Sequence, residues 1–425
     1  MAKAIFSVDR TIFESKALAW AQQYDEICFL NSNGFKDDLS SIETILAVNK
    51  LDEFKSSNNT TFESLDKFKT KHPNKWMFGF FSYDLKDEIE DLKTTFINNL
   101  KFPECYFFVP STILSFYDNK VEIDSSFPED IYNSIINFEI KNQGDDFPKE
   151  IKIKNRLSKQ EYYEAFDMMI SHIKRGDIYE VNLCQEFYAE NIKINPLLIY
   201  QKLNSLSPTP FSSFFKLDDK FIISASPERF LAKRQNLLIS QPIKGTAPRG
   251  KTPVEDIEIK ENLRNNPKEI AENVMIVDLV RNDLTRNAIP GTVSATKKLE
   301  VQSFKQVHQL VSTITCQLNN KTTDVQAIKN IFPPGSMTGA PKISAMKLCD
   351  QYENSKRGIY SGAVGYFNPT GDFDFNVIIR TILYNQTEKY LSFHTGGALT
   401  IDSEVDKEYN ECLLKASAIL QTLKK

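Results

Sequence analysis

The residues of this 425-residue chain best suited to chemistry are two carboxylate pairs and one lysine. In NNPKEIAENVMIVDLVRNDL, Glu269 and Glu272 stand three residues apart; in SEVDKEYNECLLKASAIL, Glu408 and Glu411 do the same, with Lys415 four further on. At helical spacing each pair shares a face. Two such helices meeting would offer carboxylate oxygens to a hard divalent cation such as Mg2+, which keeps several waters and needs few protein ligands. The competing reading is solvated surface charge, since Glu411 and Lys415 would pair on any helix. The third feature is SQPIKGTAPRG, residues 240–250, where Lys244 falls in a turn punctuated by proline and glycine after an expected strand, FLAKRQNLLIS. Lysines in such turns are ordinarily exposed, so Lys244 is either a surface residue or a chemical tool.

Further polar residues sit in segments that could bind an anion. FPPGSMTGAPKISAMKLC flanks Ser336 and Thr338 with Gly335 and Gly339, and places Pro341 where a helix continued by Ile343, Met346 and Leu348 would begin. Backbone N–H groups and the dipole at such a start suit a carboxylate. The Gly-x4-Gly-Lys-Ser/Thr spacing of a nucleotide phosphate loop is absent. RGIYSGAVGYF, DFNVIIRTILY and LSFHTGGALTID read as three strands whose polar positions include Tyr360, Arg380 and the Gly396-Gly397 pair. A buried Arg380 needs an anionic partner, so it is an edge residue or a carboxylate fork. His308, in QVHQLVSTI, reads locally as a hydrogen-bonded structural histidine.

These residues need elements to position them. Asn266 is the expected N-cap of a helix with Pro267 at its first position and Glu269 at its third; Ile270, Val274, Val277 and Leu284 would face the core. On the C-terminal helix the expected buried stripe is Tyr409, Leu413, Ala416 and Leu420. SKQEYYEAFDMMISHIKRGD predicts an amphipathic helix with Ser158 and Glu161 as a capping box, Tyr162, Phe166, Met169 and Ile173 on one face, and Gly176 as its stop. IYEVNLCQEFYAE then reads as a strand. Strand-like runs EICFLN, WMFGFFSYDL and CYFFVPSTILSFY fill residues 1–150, which close in KNQGDDFPKE, the linker candidate. The chain thus divides into an N-terminal region, 1–150, and a catalytic region, 151–425, within one intertwined unit. Of only 15 glycines, eight fall between Gly335 and Gly397, which marks that stretch as the lining of a ligand site.

A net charge of -4 and the lack of a basic stripe exclude a broad nucleic-acid surface. The six cysteines lack metal-ligand or paired spacing and read as reduced, mostly buried thiols. The N-terminus carries acidic residues and no apolar core of a leader, and no run approaches the roughly 18 apolar residues of a membrane span. A soluble, cytoplasmic protein without membrane contact is expected.

SPERF, PIKGT, KEIAENVMIVDLVRNDL, PPGSMTGAPKISAM, YSGAVGYF, NVIIRT, TGGALT and EYNECLLKA, in that order, resemble the motifs of the chorismate-utilising enzymes, from about Ser158 to Lys425. This family comprises the synthase components of anthranilate and aminodeoxychorismate synthases, with isochorismate and salicylate synthases as cousins. The resemblance implies an α+β fold of antiparallel sheets packed as a sandwich surrounded by helices. It implies that Glu269, Glu272, Glu408 and Glu411 surround Mg2+, and that Tyr360, Arg380, Gly396 and Gly397 hold the enolpyruvyl carboxylate, with Thr338 and Lys415 completing the pocket. His308 would face the ring, and Glu228 of SPERF would act as general acid/base.

PIKGT resembles the aminodeoxychorismate branch, where anthranilate synthases typically read PIAGT; Lys244 would then attack C2 of chorismate covalently before ammonia enters at C4. That role calls for a free amine, hence a lysine pKa held well below its ordinary value. The water-activating lysine of isochorismate and salicylate synthases is replaced by Glu180, where amine-using members usually carry glutamine. Cys412 stands where the family often has threonine. No nucleophilic cysteine sits in a glycine context, so a separate glutamine amidotransferase subunit is the expected ammonia source. The alternatives are anthranilate synthase component I and a catalytically silent regulatory subunit.

Overall fold

The computed structural model describes residues 2–40, 42–56, 60–90, 92–140, 151–305 and 307–424. The helix starts follow the capping signals. Ser158 and Glu161 form a reciprocal capping box on Lys159–Arg175, which ends at Gly176 in the left-handed region. Asn266 Oδ1 accepts from the N–H groups of Lys268 and Glu269 at the start of Pro267–Thr285. Each satisfies backbone donors that the first helical turn leaves open.

All twenty strands among the described residues join one antiparallel sheet, which doubles over at its longest strands, Thr44–Lys55 and Cys105–Tyr117. Register between those two shifts at Lys50/Asp52. From Thr44–Lys55 one arm passes through Glu26–Asn31, Phe211–Leu217, Lys220–Ser226, Thr381–Asn385 and Tyr390–Leu399 to Glu180–Ala189. From Cys105–Tyr117 the other passes through Met77–Phe81, Ala363–Phe367, Phe373–Val377, Arg229–Arg234 and Leu237–Gln241 to Val307–Gln317. Apolar side chains of both arms meet in one cluster, where Phe80 stands edge-on to Phe215 at 5.4 Å. The expected α+β sandwich is therefore one sheet folded on itself. Strands from 1–150 pair directly with strands from 151–425, and the KNQGDDFPKE stretch between them lies outside the described residues. All six cysteines are free and buried.

Several expected elements differ in detail. FLAKRQNLLIS is a hairpin, Arg229–Arg234 and Leu237–Gln241, turned at Gln235 with φ 54°. DFNVIIRTILY splits into Phe373–Val377 and Thr381–Asn385, with Arg380 in the break. Tyr360 lies in the turn before Ala363–Phe367 rather than on a strand. On Pro267–Thr285 the buried residues are Asn273, Ile276, Val277, Val280, Asp283 and Leu284, whereas Val274 is 50% exposed. The face is rotated toward Asn273, whose Oδ1 accepts from Ser312 Oγ inside the fold at 2.6 Å. On Val405–Thr422 the buried seam runs through Tyr409, Cys412, Ala416 and Ile419, leaving Leu413 and Leu420 partly covered.

Candidate active site

Two irregularities of the sheet aim the acid and the lysine. The pairing of Arg229–Arg234 slips just after Arg229 on both sides. Glu228 immediately precedes that slip, its carbonyl accepting from Val377 N–H at 3.0 Å. Ile243–Pro248 slips against Val307–Gln317 between Ile243 and Thr246, so Lys244 and Gly245 form a bulge, with Gly245 at φ 88°. Lys244 is thus on a bulged strand and not in a turn. A bulge breaks the alternation of a strand and re-aims its side chains, and a left-handed residue there is what glycine allows without steric cost. Lys244 Nζ donates to Glu180 Oε1 at 2.6 Å, the two side chains being 10% and 5% exposed.

The electrostatics of the pair differ from the expected free amine. Burial pushes the Lys244 pKa down, but the Glu180 carboxylate outweighs it, followed by Glu272 and Glu228, and the pKa stands above its ordinary value. Lys244 rests as an ammonium because the Glu180 carboxylate hydrogen-bonded to it lies inside the same dry wall. Glu228 is pushed the other way: burial raises its pKa to about 7, with Ser336, Lys244, the Ile243 backbone and Arg380 pulling it back. A carboxyl group near pH 7 can give or take a proton under working conditions.

Glu269 and Glu272 on Pro267–Thr285 and Glu408 and Glu411 on Val405–Thr422 lie within one electrostatic neighbourhood. Burial raises the pKa of Glu269, Glu272 and Glu408, and repulsion from carboxylates of the same cluster adds to each. Glu411 is held below its usual range, chiefly by Lys415 at 2.7 Å. Lys268 acts as the cation between the helices: burial lowers its pKa, and Glu272, Glu408 and Glu269 together drive it up. Carboxylates carried by two neighbouring helices are chemically the donor set of a hard divalent ion. Among the described residues, however, no three carboxylate, imidazole or thiol groups stand close enough to ligate one ion together. The set fits Mg2+ in kind, as oxygen donors on two helices.

Arg380 completes the wall. It adopts φ 51°, and its carbonyl accepts from Ala225 N–H at 3.2 Å. Burial lowers its pKa to about 10, opposed by Glu228. Among the described residues no acceptor pairs with its guanidinium. A half-buried guanidinium so placed has the donors to pair with an anion. Lys415 Nζ donates to the Gly396 carbonyl at 2.9 Å. A side chain at Gly397 would come within 2.9 Å of Glu408 Oε2, so that glycine keeps the carboxylate's space clear.

Three further expected residues have partners within the protein. His308 is fully buried, with Ser303 Oγ at 2.9 Å from Nδ1 and Asp256 Oδ1 at 2.8 Å from Nε2, so both ring nitrogens have partners. The Tyr360 ring stacks on His394 at 5.0 Å and its hydroxyl lies 3.6 Å from Cys184 Sγ. Thr338 is buried and donates to the Gly335 carbonyl at 3.0 Å. Lys268 and the pairing of Glu180 went unread in the sequence. Lys268 was visible only as an i,i+4 partner of Glu272, and Glu180 only as a departure from a motif.

Aminodeoxychorismate synthase component 1 of Klebsiella aerogenes is 40% identical over 267 residues, 63% of this chain and 58% of its own. Aminodeoxychorismate synthase of Streptomyces griseus is 40% identical over 272 residues, 64% of this chain and 37% of its own, so the chain spans only part of the length of these relatives. The crystal structure of anthranilate synthase component I from Streptococcus pneumoniae TIGR4 superposes with a TM-score of 0.79 at 26% identity, covering 92% of this chain and 95% of that one. The pattern described as chorismate binding enzyme matches residues 20–421, nearly the whole of the folded sheet, and on that match the chain belongs to the chorismate binding enzyme family.

Proposed function

We propose that the chain is the synthase component that aminates chorismate at C4, a transferase yielding 4-amino-4-deoxychorismate for 4-aminobenzoate and folate synthesis. The observation that carries this reading is the Lys244 bulge, a buried amine in the same electrostatic neighbourhood as a Glu228 carboxyl that titrates near pH 7. An enzyme amine at C2 lets the C4 hydroxyl leave with a proton from Glu228, and ammonia then enters at C4 and releases the lysine. Arg380 and Lys415 would anchor the substrate's carboxylates. Glu269, Glu272, Glu408 and Glu411 would hold Mg2+, whose charge would neutralise the ring carboxylate. The ammonia would come from a separate glutamine amidotransferase subunit. The second reading is anthranilate synthase component I, favoured by the likeness to the Streptococcus pneumoniae structure.

The product decides between them. Purified protein given chorismate, Mg2+ and concentrated ammonium salt at alkaline pH should form 4-amino-4-deoxychorismate unaided, and should use glutamine only when an amidotransferase subunit is added. Lys244→Ala should keep chorismate binding and lose amination by about a hundredfold or more. Anthranilate as the main product would overturn the C4 assignment. An unaltered rate in the alanine variant would remove Lys244 from the chemistry.

A further inference from the structure

Glu180 is the one residue of the cluster to which no role has been given, yet its place is the most constrained. It opens the strand Glu180–Ala189, and the glycine loop pins the backbone on either side of it. Tyr179 N–H donates to the Ala340 carbonyl at 2.7 Å, and Asn182 N–H donates to the Thr338 carbonyl at 2.8 Å. Gly339 pairs with Val181 and Ala340 with Glu180 itself; a side chain at Gly339 would collide with the Glu180 carbonyl. Lys244 approaches from a bulge on the other arm of the sheet. A carboxylate and an ammonium set 2.6 Å apart by two independently fixed backbones form a hydrogen-bonded ion pair built into the fold.

We propose that Glu180 is the positioning residue and proton acceptor of Lys244, taking the ammonium proton onto Oε1 when the substrate displaces water from the cleft. The proposal deepens the aminating reading and rests on it. Two opposite charges in a drying site lose solvation that the neutral acid and amine do not need. The proton steps balance. The Nζ–H bond breaks and an Oε1–H bond forms. The Nζ lone pair bonds to C2, the ring diene shifts, and C4–O breaks with the departing oxygen taking the Glu228 proton as water. Ammonia bonds to C4, the diene shifts back, and C2–Nζ breaks. Glu228 recovers a proton from the new C4 ammonium, and Glu180 returns its own to Lys244. The charged groups facing Lys244 are Glu180 from its strand, Glu272 from Pro267–Thr285, Glu228 from the connection before Arg229, and Glu411 from Val405–Thr422.

The test compares wild type with Glu180→Gln, Glu180→Asp and Lys244→Ala in two assays. The first is ammonia-dependent turnover against pH. Glu180→Gln should lose at least about tenfold in kcat at pH 7 with chorismate KM within about twofold, the loss shrinking as pH rises, because the lysine proton must then leave to solvent. Glu180→Asp should recover part of the rate. The second uses neither substrate nor metal: carbamylation of Lys244 by cyanate, read by peptide mass spectrometry. Without its anionic partner Lys244 should hold its proton less tightly, so Glu180→Gln should label several-fold faster than wild type at pH 7. Faster labelling with slower amination supports the proposal. Unchanged labelling overturns it, as does faster labelling with an undiminished rate, which would make the pair a restraint on Lys244. Loss of both together with a lowered unfolding midpoint in the glutamine variant, and no recovery in Glu180→Asp, would assign Glu180 to structure alone. Retained amination in Lys244→Ala would instead sink the aminating role of the lysine, whatever the labelling shows.

Discussion

At the scale of the single residue, burial sets protonation and neighbouring charge corrects it. At Glu228 burial outweighs the opposing pull of Ser336, Lys244 and Arg380, and its pKa rises from 4.5 to about 7. Between those values the folded chain binds more protons than the unfolded one, so stability falls as pH rises through that window and is level above it. The difference amounts to about 3 kcal/mol. Glu228→Gln should therefore be nearly neutral for stability at pH 4.5 and more stable than wild type by about 1–3 kcal/mol at pH 8, while losing turnover by about a hundredfold or more. Urea unfolding at the two pH values checks the first part, and a gap that does not vary with pH would refute the raised pKa.

At the scale of the element, two helices carry the carboxylates and Gly397 makes room for Glu408, whereas its neighbour Gly396 makes room for backbone, and the two can be told apart by what their side chains would meet. At Gly397 an added methyl meets the end of Glu408, a movable side chain; at Gly396 it meets the Leu183 carbonyl in a paired strand. Gly397→Ala should fold normally and bind Mg2+ about tenfold more weakly in calorimetric titration. Gly396→Ala should lower stability by about 1–3 kcal/mol, because backbone has to move. Glu269→Gln and Glu408→Gln should likewise weaken Mg2+ binding with little change in unfolding midpoint. Unaltered Mg2+ affinity in both glutamine variants would take the ion away from these helices.

At the scale of the whole molecule, both regions contribute adjacent strands to one sheet. Glu26–Asn31 pairs with Phe211–Leu217, and Met77–Phe81 with Ala363–Phe367. Removing residues 1–150 would bare two strand edges and take Phe78, Phe80 and Phe108 out of a core shared with Phe215 and Ile222. The full chain should unfold in a single calorimetric transition, and residues 151–425 alone should not give a soluble folded product. Two separable transitions would show that the sheet's arms fold independently. No helix among the described residues is long and apolar enough to cross a membrane.

Local order alone determined much of this protein. The caps at Ser158 and Asn266 were legible because capping uses residues within four positions, and the carboxylate pairs because helical spacing puts them on one face. The motif order was enough to point to the family. Tertiary structure decided whatever depends on partners distant in sequence. The face of Pro267–Thr285 turned because Asn273 found Ser312, 39 positions away. His308 is paired with Asp256, which no local pattern marks as its partner. Lys244 became an ammonium rather than a free amine because a bulge and a glycine loop brought Glu180 to it across 64 positions, and the pKa of a buried group is set by what surrounds it in space.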